Sequence, residues 1–166
     1  MIIGFLILFI SCSKDDDNAA DANTKTTNYL TMKINGIEWK SDGKGVFGAF
    51  HPTGYNDVII ISGIIGDGAK QQGFNMNLYR TTGVGEYVFS NTTEAVFTTD
   101  RKVVQLANLS AQDYLYGGTL GLYKMKVKVL KASKNPEIVE ATFEGTLKGV
   151  RGDEITLTEG KFYYKE

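Results

Sequence analysis

The chain is poor in the residues that most often carry chemistry or staple a fold. Its 166 residues include one cysteine, one histidine, one tryptophan and two prolines. A single thiol closes no internal disulfide, so a folded domain here must be held by its core alone. One imidazole and one thiol also fall short of the nitrogen and sulfur ligand set of a zinc centre. No apolar run approaches the ~20 residues a helix needs to cross a bilayer. Neither sign of charge is in excess. Lys and Arg number 18 and Asp and Glu 19, for a net charge of −1, and this balance argues against the basic footprint of a nucleic-acid-binding domain. What is present suits one β-rich domain. Hydrophobic residues make up 42%, nine Phe and nine Tyr supply bulk, and 19 glycines suit short strands joined by tight turns.

The lone Cys12 stands at a border. Residues Ile2 to Ile10 are apolar except for Gly4, and Cys12 is followed closely by Asp15, Asp16 and Asp17. A short apolar run before a small residue and a polar stretch reads as a secretory signal, residues 1–11. Ile10-Ser11-Cys12 resembles the lipobox of bacterial lipoproteins. That resemblance implies cleavage just before Cys12 and acylation of its thiol and new amino group. Each buried methylene of an acyl chain contributes ~0.8 kcal/mol, and two chains or more give stable attachment. Ser13-Lys14-Asp15-Asp16-Asp17 resembles the lysine-plus-acidic export tag of surface-exposed Bacteroidota lipoproteins. The implied place is the outer membrane, lipid-anchored and exposed at the cell surface, with periplasm-facing attachment as the alternative.

Residues 12–28 comprise the lipidated cysteine and a tether. The part from Ser13 to Asn28 is Asp, Asn, Ala, Thr, Ser and Lys with no apolar period. Sixteen residues span at most ~55 Å extended and average ~20–25 Å as a coil. With four Asp and two Lys the tether carries −2, which leaves the domain 29–166 at +1.

That domain has strand periodicity almost throughout. Asn35-Gly36 between alternating residues signals a type I′ hairpin. It would set Ile34 opposite Ile37, Lys33 opposite Glu38 and Met32 opposite Trp39, with Met32, Ile34, Ile37 and Trp39 on one face. Val58 to Ile65 is apolar on both parities and predicts a strand covered on both faces, with Gly63 marking a bulge or close packing. Phe74, Met76 and Leu78 point inward on the next strand, and Glu86 to Phe89 form another. From Leu122 to Leu130, Tyr123, Met125, Val127 and Val129 share one face and Lys124, Lys126 and Lys128 the other. A loop from Lys131 to Pro136 leads to a strand from Ile138 to Leu147, which sets Glu140 and Glu144 near the lysine stripe. Glu154 to Thr158 and Lys161 to Lys165 close the chain. Only Glu94 to Ala111 lacks a clear period, and Ser110 is placed to cap a short helical turn reaching Tyr114. The fold class is all-β: an antiparallel β-sandwich or distorted β-barrel with at most one short helix.

The opening Ile34-Asn-Gly-Ile-Glu-Trp39 and the closing Ile155-Thr-Leu-Thr-Glu-Gly-Lys-Phe162 resemble an uncharacterised family of Bacteroidota lipoproteins, a domain of unknown function. Its members open with an I-N-G-x-x-W hairpin and close with a T-x-G-x-F strand. These motifs specify turns and core positions. The resemblance implies fold and location and brings no activity with it.

Catalytic chemistry finds little support in the residues. A triad needs a base, and the one imidazole, His51, sits where a strand enters a turn. A glycosidase needs two facing carboxylates, and no local spacing brings two together. Asp67-Gly68 and Gly152-Asp153 lack the repeated oxygen ligands of a calcium loop, and Gly83-Val84-Gly85 lacks the third glycine of a dinucleotide fingerprint. No cofactor and no metal site is expected. The remaining hint is aromatic. Tyr114-Leu-Tyr-Gly-Gly118 puts two tyrosines beside glycines, and Tyr55, Tyr79 and Tyr163 also suit the surface; such rings stack on sugars or anchor protein partners. Tyr114 and Tyr116 are the candidate ligand or partner contacts. The expectation is a non-enzymatic, lipid-anchored binding domain for a glycan, peptide or envelope protein. Two alternatives stand beside it: a structural envelope subunit without ligand, and a hydrolase or isomerase using carboxylates in a barrel mouth.

Overall fold

The computed structural model describes residues 27–52, 57–91, 102–108, 115–118 and 121–166. The expected signal, Cys12 and nearly all of the expected tether lie outside them, as do Tyr55, the expected turn at Ser110 and Tyr114. Eleven strands are described: β1 Tyr29–Ile34, β2 Ile37–Asp42, β3 Val46–His51, β4 Val58–Ile65, β5 Gln72–Leu78, β6 Gly85–Asn91, β7 Val103–Asn108, β8 Leu115–Gly117, β9 Tyr123–Lys134, β10 Glu137–Lys148 and β11 Glu154–Lys165. Single 3-10 turns at Gly43–Gly45 and Gly68–Lys70 are the helical elements among the described residues.

The strands form two antiparallel sheets that do not close into a barrel. The six-stranded sheet runs β2-β1-β11-β10-β9-β6 and the five-stranded sheet β3-β4-β5-β7-β8. The fold is therefore the sandwich of the two architectures expected. Side chains of alternate residues on both sheets meet in one core. Phe74 of β5 and Phe143 of β10 stack across it, with centroids 5.4 Å apart and planes at 10°. Trp39 tilts against Phe74 at 6.4 Å, and its indole N–H donates to Gln72 Oε1 at 3.0 Å. At Gly48 of β3, a Cβ would stand 2.8 Å from the Phe162 ring and from Tyr164 Cβ. Glycine there lets the backbone of one sheet lie close on the side chains of the other.

The opening hairpin has the expected register: Met32 with Trp39, Lys33 with Glu38 and Ile34 with Ile37. Asn35 and Gly36 take φ of 50° and 82°, the positive values a type I′ turn requires. Ile37 departs from the expected core face. It is 73% exposed, at the turn end of β2, the edge strand of its sheet. The β9 pattern holds, with Tyr123, Met125, Val127 and Val129 buried between exposed lysines. Lys126 lies opposite Glu144.

Four further sequence expectations need correction. β4 is fully covered on one face and unevenly on the other, where Val58 is 7% exposed and Ile60 half-buried. Ile59 and Ile61 are fully buried, whereas Ile64 on the other face is 43% exposed. Gly63 marks close packing, with Trp39 3.3 Å from where a Cβ would be. The loop proposed between Lys131 and Pro136 shrinks to residues 135–136, since β9 continues to Lys134 and β10 begins at Glu137. The two closing strands are one, β11, interrupted by a bulge. Glu159 takes a φ of 54°, and the β10–β11 register shifts between Phe143 and Gly145. Finally, the stretch without a clear period contains β7, whose Val104 and Leu106 are fully buried.

Candidate functional site

The two outer faces of the sandwich differ in chemistry. Among threonines and the 70% exposed Val88, every strand of the six-stranded sheet carries charged outward residues. They include Glu38 and Lys40 on β2, Lys33 on β1, Lys161 on β11, Glu140 and Glu144 on β10, Lys124, Lys126 and Lys128 on β9, and Glu86 on β6. Lys33 Nζ meets Glu159 Oε1 at 2.6 Å and Lys128 Nζ meets Glu86 Oε1 at 3.7 Å.

On the five-stranded sheet the registers place a different set outward. The outward parity of β3 holds Phe47, Ala49 and His51, and that of β4 holds Val58, Ile60, Ser62 and Ile64, with Ala49 and Val58 themselves buried at 2% and 7% exposure. β5 presents Gly73, Asn75 and Asn77, and β7 Val103, Gln105 and Ala107. β8 adds Leu115 and Gly117. Among the described residues no outward strand position of this sheet is Asp, Glu, Lys or Arg, and Lys134 reaches it only at the rim, beside His51. Its middle row crosses all five strands in register: Phe47, Ser62, Asn75, Gln105, Gly117. Aliphatic positions flank the row on both sides, Ile60 and Val103 on one and Ile64 and Ala107 on the other.

The side chains of that row are open to partners. Phe47 is 52% exposed, and its ring is held by a tilted contact with Tyr164 at 5.8 Å. Ser62 Oγ donates to the Phe74 carbonyl at 3.2 Å, which leaves its lone pairs free to accept. The half-buried amides of Asn75 and Gln105 have no side-chain hydrogen-bond partner among the described residues. A Cβ at Gly118 would stand 3.1 Å from Gln105 Oε1, so glycine there leaves the amide room. One row away, Asn77 Oδ1 is shielded from solvent with no hydrogen-bond partner.

Of the candidate contacts drawn from the sequence, Tyr114 lies outside the described residues. Tyr116 is corrected: it is 7% exposed and belongs to the core. Its hydroxyl donates to Asp153 Oδ2, so the ring ties β8 to the β10–β11 turn and offers no platform to solvent. β8 points Tyr116 inward because Leu106, its register partner, also points inward. Tyr79 is half-buried, and Tyr163 stacks on Tyr29 at 6.1 Å on the charged face. His51 ends β3, half-buried, with Nδ1 2.9 Å from Lys134 Nζ.

Carboxylates do share one hollow. Glu86, Glu144 and Glu159 line a depression of about 460 Å³ with Lys126, Lys128 and Lys161. It lies on the open outer face of the six-stranded sheet and not in a barrel mouth, since the sheets do not close. Glu86 and Glu159 are engaged by lysines. Among the described residues no three His, Cys, Asp or Glu side chains group as metal ligands.

No family model, no curated protein and no solved structure matches this chain. Sequence reasoning looked for aromatics on loops and missed the row on the strands. The signal was available in the outward parity of three strands, where Ser62, Asn75, Asn77 and Gln105 stand in place of the lysines and glutamates of β9 and β10.

Proposed function

We propose that this protein is a lipid-anchored envelope lipoprotein, of the Bacteroidota type its two end motifs resemble, and that its sandwich is a non-enzymatic binding domain. The outer face of the five-stranded sheet is its contact surface. One observation carries the reading: the outward strand positions of that face are free of formal charge among the described residues while the opposite face bears charge on every strand. Antiparallel sheets commonly turn a polar face to water, and the six-stranded sheet does so. The centre of a recognition surface is instead depleted in charge, because each ion removed from water must be compensated. Exposed Phe47 and Ile64 beside unpartnered amides combine apolar contact with orientation-setting hydrogen bonds.

The anchor supplies location. Acyl chains on Cys12 hold the amino-terminal end at the lipid surface, and the sixteen residues from Ser13 to Asn28 set a reach of at most ~55 Å for the domain.

Two measurements on intact cells test this. Cys12→Ala should move the protein from the membrane to the soluble fraction, and an unchanged membrane fraction refutes the anchor. A photo-crosslinking residue at position 47 should give adducts, and one at position 126 should give few. Adducts at 126 and none at 47 would transfer the contact role to the charged face.

A further inference from the structure

We infer that the row Phe47, Ser62, Asn75, Gln105 binds a neutral, linear glycan laid across the strands of the five-stranded sheet. This rests on the contact role proposed above and names the ligand class. Three features point to it. First, the row's hydrogen-bonding groups are two amides, each able to donate and accept, and the Ser62 hydroxyl, whose proton goes to the Phe74 carbonyl and whose lone pairs accept. A sugar hydroxyl does both as well, whereas a carboxylate or sulfate only accepts and is best met by a cation. The described outward strand positions offer no lysine or arginine, so an anionic glycan has no counter-charge along the row.

Second, the spacing is regular. Neighbouring strands lie about 4.8 Å apart, so the row's four side chains stand at about that interval over about 14 Å. A linear pyranose chain repeats its hydroxyls on a comparable scale, and a chain crossing the strands meets one outward side chain per strand. Third, the row ends on an aromatic ring. Phe47 is half exposed and fixed by Tyr164, which suits it to the apolar C–H face of a sugar. The neighbouring acceptor Asn77 Oδ1 has no donor.

The test uses the full chain, solubilised in detergent and immobilised through its carboxyl terminus. Gluco-, xylo- and manno-oligosaccharides are passed over it, with oligogalacturonate as the anionic comparison. At least one neutral series should be retained and the anionic one should not. Asn75→Ala and Gln105→Ala should each weaken retention by about tenfold, the effect of losing one hydrogen bond to a ligand hydroxyl. Lys126→Ala on the opposite face should leave retention unchanged, and thermal melts establish that each variant is folded. The inference is overturned if no neutral series is retained, if the two alanine variants retain it like the parent, or if oligogalacturonate binds equally well. Crosslinks from position 47 to a protein partner, with no neutral glycan retained, would remove the glycan and keep the contact face. Concentration-dependent sedimentation abolished by Phe47→Glu would identify a second copy as the occupant instead.

Discussion

The sandwich has two inner faces alike and two outer faces unlike. Inside, both sheets present aliphatic and aromatic side chains to one core, from Ile61, Phe74 and Leu106 on one to Val127, Phe143 and Leu157 on the other. Outside, the six-stranded sheet sets charges of opposite sign against each other: Lys33 beside Glu38, Lys126 beside Glu144, Glu86 beside Lys128. The five-stranded sheet sets amides and a hydroxyl beside aliphatics. Folding needs only the inner pattern, and either outer chemistry is compatible with it. The difference between the outer faces is therefore informative about what each meets. Cross-strand ion pairs suit a face in water, and an uncharged face with exposed Phe47 and Ile64 suits a face in contact.

The contrast between inside and outside gives the largest expected effect. Phe143→Ala removes a ring that stacks on Phe74 at 5.4 Å and is 4% exposed. It should cost about 3–5 kcal/mol in urea denaturation, the range for large-to-small changes at an aromatic core site. Phe47→Ala removes the same side chain from the outer face and should cost less than about 1 kcal/mol, chiefly its contact with Tyr164. Comparable losses for the two would mean that Phe47 belongs to the core and would undo the reading of its face as a contact surface.

The rim between the sheets supplies the next test. Glu137 of β10 reaches across, and its Oε1 accepts the Phe50 N–H of the edge strand β3 at 2.8 Å. The uncharged sheet thus receives a carboxylate from its charged neighbour, where the edge would otherwise stand unpaired. Glu137→Ala leaves that donor without its acceptor and should cost about 1–3 kcal/mol. Glu137→Gln keeps an acceptor and should recover most of it, measured by the same denaturation midpoints. Equal midpoints for Glu137→Ala and the parent would mean that water serves the edge as well as the carboxylate does.

The fold was legible where the sequence alternates and the turns are marked. Asn35-Gly36 fixed the register of the first hairpin to the residue, and the lysines of β9 announced which parity faces water. Legibility failed where geometry is set across the sheet. The β11 bulge at Glu159 depends on how Phe143 of β10 occupies the space over Gly160, which no local pattern encodes. β7 was hidden because its outward Val103, Gln105 and Ala107 carry no charge to contrast with buried Val104 and Leu106. The same lack of contrast concealed the candidate row. Its residues come from strands far apart in the chain, and only the register brings Phe47, Ser62, Asn75 and Gln105 into one line. Tyr116 misled for the opposite reason, since neighbouring glycines suggested a loop where a short strand turns the ring inward.

A smaller effect tests the charged face as a solvated one. Lys33 and Glu159 lie 2.6 Å apart with side-chain exposures of 43% and 62%. A double-mutant cycle with Lys33→Ala and Glu159→Gln should give a coupling of about 0.2–1 kcal/mol, and added salt should shrink it because the pair is open to screening. A larger coupling that ignores salt would mean that this face is covered in the folded protein, and the contrast between the faces would lose one of its terms.

The finest test lies at Tyr164, where the two faces meet at the rim. Burial, with the carboxylates of Glu166 and Glu137 nearby, raises its phenol above the ordinary value of 10.0. In the unfolded chain the phenol ionises around pH 10, while in the fold it keeps its proton to higher pH. Above that point the unfolded state binds fewer protons than the folded one, so stability falls as pH rises until the folded group has also ionised. Below about pH 9 the group is neutral in both states and contributes no slope. Melting temperatures measured from pH 8 to pH 11 should therefore fall less steeply at the alkaline end for Tyr164→Phe than for the parent. Using the difference between the two curves cancels the other eight tyrosines of the chain's nine. Superimposable alkaline slopes would place the hydroxyl in open water, and with it the rim against which Phe47 is held.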